Sequence, residues 1–170
     1  MGRSLGGAVA IHTLAKMAKQ SNPSTLDKIA GEDDCYFRGL IIENTFSSIS
    51  DMADTLFGFL KWIPNIKAKM LKLNWNSEEQ IEHVTVPILF VSGSADQLVP
   101  TQMTFRLSNA ATRTAFKETW IVPGGQHNNT FLLAGPLYPT KLREFMNKCT
   151  VKDTKTTKNE KTEKEIEKEA

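Results

Sequence analysis

The segment Gly2–Gly7, with the sequence G-R-S-L-G-G, constrains this chain more than any other feature. It has the form G-x-S-x-G and leads into an apolar stretch, a pattern typical of a serine on a sharp turn between a strand and a helix. Such a turn places Ser4 in a positive-φ conformation that few residues adopt without strain. We expect glycine at Gly2 and Gly6 because the strand and the helix approach each other closely there, and Gly7 adds clearance.

This turn would suit Ser4 to a role as a nucleophile. Its hydroxyl would be held at the top of a sheet, and the N–H of Leu5 would point to the place where an oxyanion forms. The helix that follows adds the positive end of its dipole. The motif alone is weak evidence, because glycine and serine are common in loops, so the interpretation depends on finding an acid and a base.

Two later turns carry an acid and a base in the chain order that this motif requires. An apolar strand over about 87–92 leads into a turn with Asp96, and a strand over 119–122 leads into a turn with His127. Both residues follow the carboxyl ends of predicted strands, where ligands bind in open α/β sheets. Glu43, at the end of a predicted strand over 37–43, is an alternative acid, but Asp96 fits the order better.

Four segments together resemble the Bem46-like branch of the α/β-hydrolases. They are Gly-Arg-Ser-Leu-Gly-Gly-Ala-Val-Ala-Ile, Ile-Ile-Glu-Asn-Thr-Phe-Ser-Ser-Ile, Ser-Gly-Ser-Ala-Asp-Gln-Leu-Val-Pro and Gly-Gln-His-Asn-Asn-Thr-Phe. The resemblance extends from Gly2 to about Cys149. Because four motifs occur in the right order, it is specific.

The resemblance implies a serine hydrolase with Ser4 as nucleophile, His127 as general base and then acid, and Asp96 orienting the imidazole. It implies carboxylic esters or acyl-protein thioesters as substrates, as in a depalmitoylase, and neither a metal nor a cofactor. It also implies an N-terminal membrane anchor in the full-length parent, which would make that parent membrane-associated.

The expected fold is the C-terminal half of an α/β-hydrolase: a parallel sheet with flanking helices, without the N-terminal strands. Residues 1–150 would form this partial domain, with helices near 5–20, 101–111 and 139–149. Residues 151–170 hold six Lys, five Glu and one Asp, so we expect a disordered, charged tail. A loop that donates the second oxyanion N–H would also be missing.

The segment around 52–70 is rich in large apolar residues, including Phe57, Phe59 and Trp62. These three are weak candidates for an acyl-binding pocket under a small cap. A helix packed on the core, or an interfacial helix with basic residues on its polar face, remains open as an alternative.

Composition excludes some classes of protein. The formal net charge of +2 gives no reason to expect a nucleic-acid partner. The two cysteines, Cys35 and Cys149, lack metal-ligand spacing and indicate no disulfide framework. No apolar run approaches the ~20 residues that a membrane-spanning helix needs. Asn128 begins a glycosylation sequon beside His127, and a glycan there would crowd the site.

A truncated, non-catalytic remnant or partner-binding fragment is the rival interpretation. Only three strands would remain, near 37–43, 87–92 and 119–122, each covered on both faces. The first would be an exposed edge, which favours aggregation. The turn at Ser4 would also lack the strand that enforces its strain.

Overall fold

The computed structural model describes residues 1–20, 37–52 and 75–150, within which two compact units are separated at Gly135 and Pro136. The cap proposed around 52–70, with Phe57, Phe59 and Trp62, lies outside the described residues except at its first position. The charged tail 151–170 also lies outside them.

The first unit is built from alternating strands and helices. Its elements in chain order are β1 Gly2–Arg3, α1 Leu5–Gln20, β2 Leu40–Glu43, α2 Ser77–Ile81, β3 Ile88–Gly93, α3 Thr101–Ala110, β4 Lys117–Val122 and α4 Thr130–Ala134. A further helical turn begins at residue 49. The second unit contains one helix in its described part, α5, over residues 137–150.

The four strands form a parallel sheet in the order β1-β2-β3-β4, so each strand pairs with the next one along the chain. Parallel strands need long crossover connections. The described helices within them are α1 between β1 and β2, α2 between β2 and β3, and α3 between β3 and β4. This is the parallel sheet with flanking helices that the motifs predict.

The expectation of three strands is wrong, because Gly2–Arg3 forms a fourth. Gly2 pairs with Ile42 and Arg3 with Glu43, and the N–H of Ser4 extends the pairing to the carbonyl of Glu43 at 2.8 Å. The carboxyl end of β2 is therefore not the bare edge that the sequence predicts.

The main core lies on one face of the sheet. Alternate residues of β2 and β3, Leu40 and Ile42 with Ile88 and Phe90, point into one buried cluster. Side chains from α1, α2 and α3 complete this cluster: Ile11, Leu14, Ala15, Ile81 and Leu107. The apolar spacing of α1 is thus the reason that this helix packs against the sheet.

Burial differs between the strands. Every residue of β2 and β3 is buried, as their continuous apolar runs predict. In β4, Lys117 and Thr119 are exposed and Val122 is buried. The prediction that this strand is covered on both faces is therefore wrong.

Arg106 on α3 joins three elements through ion pairs with Asp51 and Glu78. Hydrogen bonding to Glu78 and the two carboxylate charges raise the pKa of Arg106 despite partial burial. Burial would raise the pKa of Asp51, but hydrogen bonds from Ser47 and Ser48 and the charge of Arg106 outweigh it and lower that pKa. Because Arg106 is exposed and both carboxylates are partly exposed to water, the pairs fix geometry more than they stabilise the fold.

Among the helices of residues 1–20, 37–52 and 75–150, none combines the length and the apolar character that a membrane-spanning helix needs.

Candidate functional site

Ser4 lies on the turn between β1 and α1 with φ of +51°. Its N–H donates to Glu43 O, and its carbonyl accepts from Gly7 N at 3.1 Å and Ala8 N at 3.3 Å. The strained conformation that the motif predicts is present, and pairing with β2 on one side and the first turn of α1 on the other hold it in place.

The glycines of the motif differ in how tightly they are packed. A Cβ on Gly2 would overlap the backbone of Gly6, and a Cβ on Gly7 would overlap Thr45 Oγ1. A Cβ on Gly6 would meet nothing within 4 Å. The expectation that Gly6 must lack a side chain for want of space is therefore wrong, and Gly7 has the close contact instead, because it faces Thr45, the second residue after β2.

Asp96 follows β3 in a turn that fixes both of its carboxylate oxygens. Oδ1 accepts from the N–H groups of Leu98 and Val99, each at 2.9 Å. Oδ2 lies 2.8 Å from Nδ1 of His127, and the side chain of Asp96 is fully buried. The carboxylate is therefore held in one orientation by the backbone of its own turn.

His127 lies in the turn after β4 and contacts both other residues. Its Nε2 is 3.1 Å from Ser4 Oγ, while Nδ1 faces Asp96. The acid at the imidazole is thus Asp96 rather than the alternative candidate Glu43. With Nδ1–H donating to Asp96, Nε2 is the acceptor and can receive the proton of the Ser4 hydroxyl.

Leu5 is the first residue of α1 and directly follows Ser4. Its N–H is among the first amides of the helix, which have no acceptor within the helix. An amide in this position is suited to donate to an oxyanion formed at Ser4. The side chain of Leu5 is exposed, so the backbone is the relevant part of this residue.

A cleft of about 370 Å³ opens beside the imidazole, between residues 95–98 and residues 126–129. The candidate pocket residues Phe57, Phe59 and Trp62 lie outside the described residues, so the lining seen here comes from the acid turn and the histidine turn alone. Within the described ranges, no group of three or more His, Cys, Asp and Glu side chains is arranged to hold a metal ion.

Sequence reasoning missed two residues that touch the histidine turn. Arg3 donates from Nη2 to His127 O at 3.0 Å and also to Asn128 Oδ1. Asn44 is fully buried at φ +46° and donates from Nδ2 to the same carbonyl at 3.1 Å. An asparagine directly after an apolar strand was the available signal, because asparagine is enriched in the left-handed region.

His12, a second histidine in the described part of the chain, lies on α1 and stacks on Trp75 with ring centroids 5.0 Å apart. Its pKa is lowered, first by burial and then by the charge of Lys19. It is separate from the site, because His127 is the histidine that contacts Ser4.

No protein-family model matches this sequence. The chain is 36% identical to alpha/beta hydrolase domain-containing protein WAV2 of Arabidopsis thaliana, over 86% of this chain and 46% of the relative. It is 33% identical to protein bem46 of Schizosaccharomyces pombe, over 77% of this chain and 38% of the relative. The chain therefore spans about half the length of these relatives, or less. An uncharacterized membrane protein of Saccharomyces cerevisiae is 31% identical, over 85% of this chain and 44% of its own length.

Solved structures share the fold at low sequence identity. A monoacylglycerol lipase of Paleococcus ferrophilus matches with a TM-score of 0.59 at 13% identity, over 88% of this chain and 67% of the lipase. An esterase of Pyrococcus furiosus matches with a TM-score of 0.58 at 14% identity, over 85% of this chain and 50% of the esterase.

Proposed function

Since this chain belongs to the Bem46-like family of α/β-hydrolases, we propose that it carries the catalytic serine, histidine and aspartate of a serine hydrolase. The observation that carries the proposal is the position of His127, with Nε2 3.1 Å from Ser4 Oγ and Nδ1 2.8 Å from Asp96 Oδ2. Both distances lie within hydrogen-bond reach, as a nucleophile, its base and an orienting acid require.

In the proposed reaction, Ser4 Oγ attacks the acyl carbonyl carbon while its proton moves to His127 Nε2. The carbonyl oxygen becomes an oxyanion and accepts from the Leu5 N–H. The intermediate collapses as the leaving alcohol or thiol takes the proton from Nε2, which leaves an acyl ester on Ser4. Water, deprotonated by His127, then attacks this ester and releases the carboxylic acid and free Ser4.

Asp96 has a positioning and electrostatic part in this sequence. Its Oδ2 accepts from His127 Nδ1–H and stabilises the imidazolium that forms when Nε2 takes the serine proton. Two backbone N–H groups on Oδ1 keep the carboxylate from rotating away. Because Asp96 is buried, water competes little for this interaction.

The proposed substrates are carboxylic esters or acyl-protein thioesters. Their acyl carbonyl suits a serine nucleophile, and the lipase and the esterase of the same fold are named for ester substrates. The cleft beside His127 would receive the leaving group. We also propose that the full-length parent acts at a membrane, since one relative is called a membrane protein. Sedimentation of the parent with membranes after high-salt washing tests this.

Labelling by a fluorophosphonate probe tests the proposed nucleophile, because the probe reacts with an activated serine. We expect the wild-type protein to be labelled and Ser4→Ala not to be labelled. Ser50→Ala is the matched control, since Ser50 is exposed on the helical turn that begins at residue 49. Equal labelling of Ser4→Ala and wild type would exclude Ser4 as the nucleophile, and absence of labelling in the wild type would favour the non-catalytic alternative.

A further inference from the structure

Asn44 occupies a conformation that needs an explanation. It follows β2 directly, is fully buried, and has φ of +46°. Besides Ser4 it is the only non-glycine residue with positive φ in the described part of the chain. Such a conformation persists only where the surroundings enforce it, and such residues cluster at functional sites.

The side-chain amide of Asn44 connects two other elements. Its Oδ1 accepts from the N–H of Gly93, the last residue of β3, at 2.9 Å. Its Nδ2 donates to His127 O at 3.1 Å and to Thr130 Oγ1 at 3.0 Å, with Gln126 O at 3.4 Å. An N–H faces Oδ1 and two carbonyls face Nδ2, so the partners fix which end of the amide is oxygen and which is nitrogen.

These bonds meet the histidine turn at its backbone. Thr130 links Asn44 to this turn as well, because its hydroxyl accepts from Asn44 Nδ2 and donates to Gln126 O at 2.8 Å. Arg3, the neighbour of Ser4, donates to the same His127 carbonyl at 3.0 Å. The main chain of His127 is therefore held from β1 and from β2, the elements that also hold the turn of Ser4.

We propose that Asn44 is a positioning residue for the hydrolase reaction: it sets the backbone of His127 so that Nε2 meets Ser4 Oγ. The inference rests on the proposed function. Asn44 acts through the carbonyl of His127 itself and through the N–H of Gly93, which ends β3 just before the turn of Asp96. A displacement of about 1 Å in such a group can lower the rate about 10²-fold.

Asn44→Asp is the sharpest test because it keeps the size, the tolerance of positive φ and the acceptor for Gly93 N–H. It replaces the Nδ2 donor by an oxygen that faces the oxygens of His127, Gln126 and Thr130. We expect kcat for a p-nitrophenyl acyl ester to fall about 10–10²-fold while KM changes little, since the substrate is not touched. Asn109→Asp, the same change at an exposed position of α3, is the control and should match the wild type.

Asn44→Gly is the second variant, because glycine accepts positive φ and introduces no buried charge. It should show the same loss of kcat. Proton NMR gives a readout independent of turnover: the low-field resonance of His127 Nδ1–H should be present in the wild type and shifted or broadened in both Asn44 variants. The circular dichroism of the variants shows whether they are folded.

Folded Asn44 variants with wild-type kcat and an unchanged His127 resonance would overturn the inference. If neither variant folds, Asn44 is a folding determinant, and its role as a positioning residue is likewise rejected. A failure of the proposed function looks different, because the wild type would then not be labelled at Ser4, while the NMR comparison would still measure the effect of Asn44 on His127.

Discussion

Gly93 and Gly125 are in backbone contact: a Cβ on Gly125 would lie 2.9 Å from Gly93 Cα, and a Cβ on Gly93 would overlap the carbonyl of Gly125. Gly93 ends β3 before the turn of Asp96, and Gly125 precedes His127. The carbonyl of Gly125 also accepts from Ala95 N at 2.8 Å. The acid turn and the histidine turn therefore pack directly against each other. They can approach this closely because neither Gly93 nor Gly125 has a side chain.

Replacing Gly93 with alanine should separate these turns. We expect Gly93→Ala to lower the free energy of unfolding by about 1–3 kcal/mol, as overpacking does, and to lower kcat about 10²-fold through misplacement. Urea denaturation and ester hydrolysis measure the two effects. Gly124→Asn is the control, since a Cβ there meets nothing within 4 Å and asparagine tolerates its φ of +69°. Wild-type kcat in Gly93→Ala would contradict this account.

Asp96→Asn should retain the fold and lose most activity. If the new amide presents its N–H to Nδ1, the tautomer with a free Nε2 is disfavoured. If it presents its carbonyl, the tautomer is kept, but no negative charge stabilises the imidazolium. We expect kcat to fall about 10⁴-fold. Combining Asp96→Asn with Ser4→Ala should cost no more than Ser4→Ala alone, because the residues act as a unit. Additive losses would show that Asp96 acts elsewhere.

The two adjacent glycines of the Ser4 turn should respond differently to alanine. Gly7→Ala would force a Cβ into Thr45 Oγ1, and we expect a loss of about 1–3 kcal/mol in the free energy of unfolding. Gly6→Ala places its Cβ in open space at the second residue of α1, where we expect alanine to cause no loss of stability. Thermal unfolding of both variants compares their stabilities. If Gly7→Ala proved more stable than Gly6→Ala, Thr45 would have room for a Cβ on Gly7.

His12 should make stability depend on pH. Its folded pKa lies below the ordinary value of 6.5 because burial and Lys19 disfavour the charged form. Between the two values the unfolded state binds more protons, so stability rises with pH. The contribution is fully present above pH 6.5 and is lost as pH falls through the folded pKa.

His12→Phe keeps a ring against Trp75 and removes the titration. Urea denaturation from about pH 8 to about pH 5 should therefore show a smaller decline for His12→Phe than for the wild type. If stability declined with pH equally in the two proteins, His12 would have the same pKa in the folded and the unfolded state.

Local pattern was sufficient to predict the strained Ser4, the buried strands β2 and β3, and the positions of Asp96 and His127 after strands. These depend on features that neighbours in the chain decide: glycine spacing, apolar runs and turn residues. The position of the last helix was also close, near 139–149 against the observed 137–150.

The remaining errors concern contacts between distant parts of the chain. That Gly7 rather than Gly6 is crowded depends on Thr45, which is far away in sequence. The two-residue β1 is too short to have a period and is recognised only by its pairing with β2. The side-chain partners of Asn44 are Gly93 and three residues within 126–130, so no short window of sequence contains both Asn44 and its partners.

The sheet order also bears on how the protein folds. Ser4 and His127 are 123 residues apart, and the histidine turn follows β4, the last strand along the described part of the chain. Docking of such distant segments is slow, because the chain must close a long loop before any contact forms. If Ser4 and His127 have the proposed roles, Ser4 has no base until β4 has docked. The reactivity of Ser4 would then measure completion of the sheet rather than the collapse of its earlier strands.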